Sequence, residues 1–214
     1  RVQLPAVPDV VPSPEQGYRM RARFHVREGR VGFLREASHE VCDAGATGQL
    51  LPQTTAWLAA ATDRIRRDRL TGVVSIELSE NVPASQRACH LELAAGEPAA
   101  RYAALGEGLT GLSGQALDEL EAHQLAGRPV VDDVITVTDG SSSQPLRLSR
   151  DVRAFFQGNR FLLDALCSYL TGVVPAGPIL DLYAGVGLLG LSLAAVGHDT
   201  VTLVEGDRVS GASL

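Results

Sequence analysis

The stretch from Ile179 to Glu205 leaves this chain the fewest choices of fold. Ile179-Leu-Asp181-Leu is a short apolar run, as expected of a buried parallel strand. Tyr183 and Ala184 lead into Gly185 and Gly187, where a tight turn brings backbone N–H groups close to a ligand. Leu188, Leu189, Leu191, Leu193 and Ala194 supply the apolar face of a helix read from Gly187 to Val196 and stopped by Gly197. Val201-Thr-Leu-Val-Glu205 is a second apolar strand that ends on an acid. Strand, glycine turn, helix, strand and acid is the logic of a nucleotide-binding βαβ half. The turn approaches the ligand, and the distal carboxylate accepts hydrogen bonds from ribose hydroxyls.

Gly185, Gly187 and Gly190 satisfy the dinucleotide spacing G-x-G-x-x-G, and an NAD-dependent oxidoreductase would rest on that spacing alone. Asp181, however, sits inside the end of the strand, four residues before the first glycine. That D-x-x-x-G-x-G pattern resembles the first motif of the class I methyltransferases, which bind S-adenosyl-L-methionine. A glycine turn with no ligand is the remaining alternative.

Charge and cysteine usage narrow the partners. Nineteen basic residues, all arginine, against 25 acidic ones leave a net charge of −6, so any RNA contact has to be local. Cys42, Cys89 and Cys167 form no C-x-x-C pair, which argues against a disulfide framework or zinc site and suits a reducing cytoplasm. No apolar run is long enough for a membrane span, and nothing resembles a secretion signal. Both ends read as cut: the chain opens on Arg1, and Leu214 comes just after the second strand of a fold that needs several more.

Residues 1–17, with Pro5, Pro8, Pro12 and Pro14, read as an extended lead-in. Tyr18 to Val26 alternates, with Arg19, Arg21, Arg23 and His25 on one face and Met20, Ala22, Phe24 and Val26 on the other, as a half-buried strand does. The arginines are a candidate phosphate surface; the alternative is a solvated face. Next come a turn at Arg27 to Arg30, a return strand over 31–35 and a short strand over Ser38 to Asp43. Thr54 to Leu70 reads as a helix buried through Trp57, Leu58, Ala61, Ile65 and Leu70. Strands are predicted over Gly72–Leu78, Ala88–Leu93 and Val134–Thr138, a short helix over Ala116–Leu125 with Ser113 as its cap, and a loop at Gly140–Ser143. His39, His90 and His123 occur singly and read as structural. Residues 18–150 therefore look like an α+β region distinct from residues 151–214. A helix is predicted from Arg160 to Leu170, buried through Phe161, Leu162, Leu166, Tyr169 and Leu170, with Cys167 in the core.

Taken in order, five stretches combine: Tyr18-Arg-Met-Arg-Ala-Arg-Phe-His-Val, Gly32-Phe-Leu-Arg, Ser38-His-Glu-Val-Cys-Asp, Phe155-Phe-Gln-Gly-Asn159 and Asp181-Leu-Tyr-Ala-Gly-Val-Gly. Together they resemble the RNA uracil-C5 methyltransferases, which make 5-methyluridine in tRNA and ribosomal RNA. The similarity runs from about residue 12 onward, and Phe-Phe-Gln-x-Asn ahead of D-L-Y-x-G-x-G is its most specific element. The resemblance implies an α+β central domain over 18–150 that helps hold RNA. After it, over 151–214, would come the start of a Rossmann-like class I methyltransferase domain, incomplete here. It also implies that Gln157 contacts S-adenosyl-L-methionine, that Tyr183 lies beside it, and that Glu205 binds its ribose, with Asp181, Gly185 and Gly187 completing the site. Arg19, Arg21 and Arg23 would meet RNA.

Two positions depart from that family. Members with an iron–sulfur cluster carry a cysteine where Thr47 stands; a hydroxyl cannot replace the thiolate, so no cluster is expected. Leu188 replaces a polar residue after the second glycine. Methylating a pyrimidine carbon also needs a thiolate that adds to C6 and a base that removes the C5 proton. None of the three cysteines matches the nucleophile motif, and both groups would lie beyond Leu214, so no catalytic residue is assigned here and the segment itself is expected to be inactive. The competing class is an RNA-binding module whose methyltransferase half is degenerate.

Overall fold

The computed structural model describes residues 10–140 and 142–214. Pro5 and Pro8 of the expected lead-in lie outside them. Strands β1 (Arg21–Arg27), β2 (Arg30–Leu34), β3 (Val41–Cys42), β4 (Val73–Glu80), β5 (Arg87–Leu93), β6 (Gly111–Ala116) and β7 (His123–Gly127) form one sheet in the order β3-β2-β1-β4-β5-β6-β7. Only β5 and β6 pair in parallel. Period-two patterning builds it: Phe24, Ile76 and Leu91 stand side by side across three strands, and Ala22, Leu78, Cys89 and Leu112 across four. Helix α1 (Pro52–Arg67), started by a proline in its first turn, lays Leu58, Ala61 and Ile65 on that apolar face. The opposite face carries polar side chains.

A long hairpin, β8 (Val130–Asp139) with β9 (Ser142–Asp151), shares its core with the C-terminal part of the chain. Ile135, Val137 and Leu148 pack with Phe156, with Leu163 and Cys167 of α2 (Leu163–Val173), and with Leu188 of α3 (Leu188–Ala195). β10 (Ile179–Leu182) and β11 (Val201–Val204) pair in parallel, with α3 between them in sequence, and α4 (Arg208–Gly211) comes last.

Four expectations change. The predicted helix over Ala116–Leu125 is absent: its segment runs from the end of β6 into β7, Ser113 is a strand residue, and Leu117 and Leu120 are exposed, so no helical stripe is buried among the described residues. Of the predicted loop at Gly140–Ser143, Gly140 is a turn residue and Ser142 and Ser143 belong to β9, a strand missed because its residues 142–145 alternate no apolar side chains. The strand predicted over Ser38–Asp43 shrinks to Val41–Cys42. The helix predicted from Arg160 starts at Leu163 and buries Leu163, Cys167 and Thr171. Phe161, Leu166 and Tyr169 are exposed instead, since an apolar stripe wider than its partner leaves one edge uncovered.

Buried polar groups tie these parts together. The Glu80 carboxylate, fully buried, accepts hydrogen bonds from Thr54 of α1, from Arg87 at 2.8 Å and from Arg160 at 2.5 Å. Arg150, also fully buried, donates to Asp133 at 2.9 Å, to Ser79 and to the Glu80 carbonyl, and its guanidinium lies 4.1 Å from the Phe156 ring centre. Strand β4 is thereby joined to α1, to the β8–β9 hairpin and to the segment that enters α2. A charge buried this deeply persists only when each donor and acceptor is met.

Candidate cofactor site

The glycine turn joins β10 to α3. Gly185 and Gly187 adopt φ of 61° and 84°, and Tyr183 adopts 62°, a conformation that side chains rarely take. Tyr183 is 91% exposed, so its ring stands free over the turn. Gly190 lies where α3 crosses β11; a Cβ there would run into Leu203, so the third glycine is explained by close helix–strand packing.

Each acid has a definite task. Asp181 accepts a hydrogen bond from the Gly190 N–H at 3.0 Å, fastening the first turn of α3 to the strand that precedes it. Glu205, at the end of β11, reaches back to the turn: one carboxylate oxygen accepts from the Gly185 N–H at 2.6 Å, the other from the Asp207 N–H at 2.7 Å. Those N–H groups, Asp207 first and Gly185 second, hold the Glu205 carboxyl below its ordinary pKa, so it is ionised at neutral pH. Ionised carboxylate and glycine backbone thus stand together at the carboxyl end of two parallel strands, where open α/β sheets bind ligands. The carbonyl of Phe155 passes beside Gly185, which brings the Phe-Phe-Gln segment to the same turn. Gln157 itself lines an apolar recess of about 800 Å³ with Leu162, Leu166 and Tyr169. Among the described residues no hydrogen bond joins Gln157 to the turn. Leu188 is buried in the core, so its apolar side chain serves packing.

The arginine row is placed as expected but is already engaged. Arg19 donates to Gln49 at 2.6 Å, Arg21 donates to the Arg153 carbonyl at 3.1 Å, and Arg23 pairs with Glu92 at 2.8 Å. Glu77 lies 3.8 Å from Arg21 and 3.7 Å from Arg23. Carboxylates on the neighbouring strands therefore offset much of the local positive charge. Thr47 donates its hydroxyl to the Ala44 carbonyl at 2.7 Å in a short turn. Burial pushes the thiols of Cys89 and Cys167 up, away from the thiolate a nucleophile needs. The network of Glu80, Asp133, Arg150 and Arg160 was not foreseen; the one signal is a pair of acids, Glu77 and Glu80, in the apolar strand Val73–Glu80.

Comparison with known proteins bears on this arrangement. No protein-family model matches the sequence. The tRNA (uracil-54, C5)-methyltransferase of Pyrococcus abyssi, solved in complex with S-adenosyl-L-homocysteine, superposes with a TM-score of 0.76 at 17% identity, over 96% of this chain and 52% of that one. The fold is therefore that of a methyltransferase: an α+β region, then the first strands of a Rossmann-like unit. An uncharacterised RNA methyltransferase of Parasynechococcus marenigrum is 26% identical over 94% of this chain and 48% of its own length. The 23S rRNA (uracil(1939)-C(5))-methyltransferase RlmD of Halomonas elongata is 26% identical over 96% of this chain and 45% of its own. The chain is thus similar to RNA methyltransferases, one of them a uracil-C5 enzyme, and it spans about half the length of the curated relatives it matches.

Proposed function

We propose that the protein containing this chain transfers a methyl group from S-adenosyl-L-methionine to C5 of a uridine in tRNA or ribosomal RNA, in the cytoplasm. The observation that carries the cofactor assignment is Glu205, ionised and hydrogen-bonded to the glycine turn that comes after Asp181. In this reading residues 151–214 open the cofactor domain and residues 18–150 help hold the RNA, with Arg19, Arg21 and Arg23 among the contacts. Glu205 accepts from the ribose hydroxyls in place of its present bond to Gly185. Gly185 and Gly187 let the backbone approach the ligand, Tyr183 lies along it, Gln157 closes the site from the Phe-Phe-Gln segment, and Asp181 holds α3 in position. The bound cofactor supplies the electrophilic methyl group; the thiolate and base that activate uracil come from outside this segment, which alone is inactive. The intact protein, given S-adenosyl-L-methionine and tRNA or ribosomal RNA, is expected to yield 5-methyluridine in nuclease digests read by mass spectrometry. Methylation only at ribose or cytosine would overturn the uracil assignment. Glu205→Ala is expected to weaken S-adenosyl-L-methionine binding by about tenfold or more in calorimetry, as loss of a hydrogen bond to a charged group does; unchanged affinity would remove Glu205 from the site.

A further inference from the structure

The face of the seven-stranded sheet turned away from α1 is polar across four strands. Register sets Arg23, Glu77, His90 and Ser113 in one row, and His25, Ser75, Glu92 and Gln115 in the next. A solvated sheet face is ordinarily polar, but this one is also recessed: Ser75 is fully buried, Ser113 is 3% exposed and His90 8%. Arg153, Glu119 and the strand end at Ala116–Leu117 enclose a cavity of about 330 Å³ over it, room for roughly ten waters.

His90 lines that cavity. Its Nδ1 is held by the Ser113 hydroxyl at 2.9 Å, while Nε2 has no hydrogen-bond partner among the described residues. Burial pushes its pKa down to about 4, so the ring is neutral at pH 7 and presents a neutral hydrogen-bonding group. The surrounding charges exclude a phosphate as the favoured occupant. Arg23 is paired with Glu92 and Arg153 with Asp151 at 2.9 Å, and Glu77 and Glu119 add further negative charge. The recess presents the carboxylates of Glu77, Glu92 and Glu119 beside the guanidiniums of Arg23 and Arg153 and the Gln115 amide, which also donates to the Glu119 carbonyl at 2.9 Å, with Leu117, 61% exposed, as an apolar wall. A guanine base matches that set: its N1–H and 2-amino group donate to a carboxylate, its O6 and N7 accept from guanidinium or amide, and its flat face needs an apolar surface.

We propose that this recess binds an unstacked guanine of the RNA substrate, at a site separate from the glycine turn. The proposal rests on the reading of the protein as an RNA methyltransferase. The test measures fluorescence anisotropy of the intact protein with three single-stranded RNA pentamers: all uridine, uridine with one central guanosine, and the same with inosine, which lacks the 2-amino group. The guanosine RNA is expected to bind at least about fivefold more tightly than the other two, in line with the discrimination given by a bidentate base contact. His90→Ala and, separately, the more exposed Gln115→Ala are expected to abolish that preference while leaving affinity for the all-uridine RNA unchanged, with thermal unfolding confirming that each variant folds. Equal binding of guanosine and uridine RNAs, equal binding of guanosine and inosine, or a preference that survives both variants would overturn the guanine site alone. Failure to bind any of the three would overturn it together with the RNA reading.

Discussion

The seven-stranded sheet and the parallel pair β10–β11 both place leucines along their strands, but the two regions treat them differently. Leu78, Leu91 and Leu112 are at most 1% exposed, because α1 and the 3-10 helix Ala99–Gly106 bring Leu58, Ile65, Tyr102 and Leu105 into the core they occupy. Leu180, Leu182 and Val204 are 60%, 56% and 47% exposed, because α3 covers only the side of Asp181 and Leu203. In the first region burial and strand pairing coincide. In the second, parallel pairing and two carboxylate anchors hold the strand–turn–helix–strand unit, and α3 packs on one side of the pair.

The largest effect is expected from the network that ties the sheet to the β8–β9 hairpin and to the segment entering α2. Glu80→Ala removes the acceptor shared by Arg87, Arg160 and Thr54, leaving buried guanidiniums uncompensated. A loss of about 3–5 kcal/mol is expected in urea unfolding. A loss below about 1 kcal/mol would mean that the network is incidental.

A pH experiment probes the sheet alone. His90 titrates near 6.5 when unfolded but at about 4 in the fold, because burial disfavours the imidazolium. The unfolded chain binds the extra proton between those values, so this stabilisation is complete above pH 6.5 and is lost as pH falls toward 4. Its full size is about 3 kcal/mol. His90→Gln is expected to flatten the stability curve in that window. An unchanged slope would assign the acid sensitivity elsewhere.

The smallest effect belongs to the bare face. In this chain by itself, Leu182→Ala is expected to change stability by less than about 0.5 kcal/mol, as for an exposed position. A cost of several kcal/mol in the intact protein would show that another part of the protein covers this face.

The placement of the residues proposed for the cofactor was largely legible. Asp181, Gly185, Gly187 and Glu205 lie close in sequence to the elements they serve, so spacing alone places them on a turn and two strand ends. The alternation of Arg21, Arg23 and His25 with Ala22, Phe24 and Val26 was equally local, and the exposure pattern of β1 matches it. The contacts of those arginines were not legible, since Glu77 and Glu92 reach them only once β4 and β5 pair. The missed β9 and the absent helix at Ala116–Leu125 fail for a related reason: weak local preferences yield to pairing with distant strands.

By itself the sequence determined the βαβ unit, the alternation of apolar and polar faces along β1, and the place of α1, because each depends on periodicity within a few residues. Only the tertiary structure decided where charge ended up. The meeting of Glu80 with Arg87 and Arg160, of Arg150 with Asp133, and of His90 with Ser113 inside a polar recess joins residues up to 80 positions apart. Side-chain periodicity carries no information over such separations; buried hydrogen bonding selects those partners once the strands have paired.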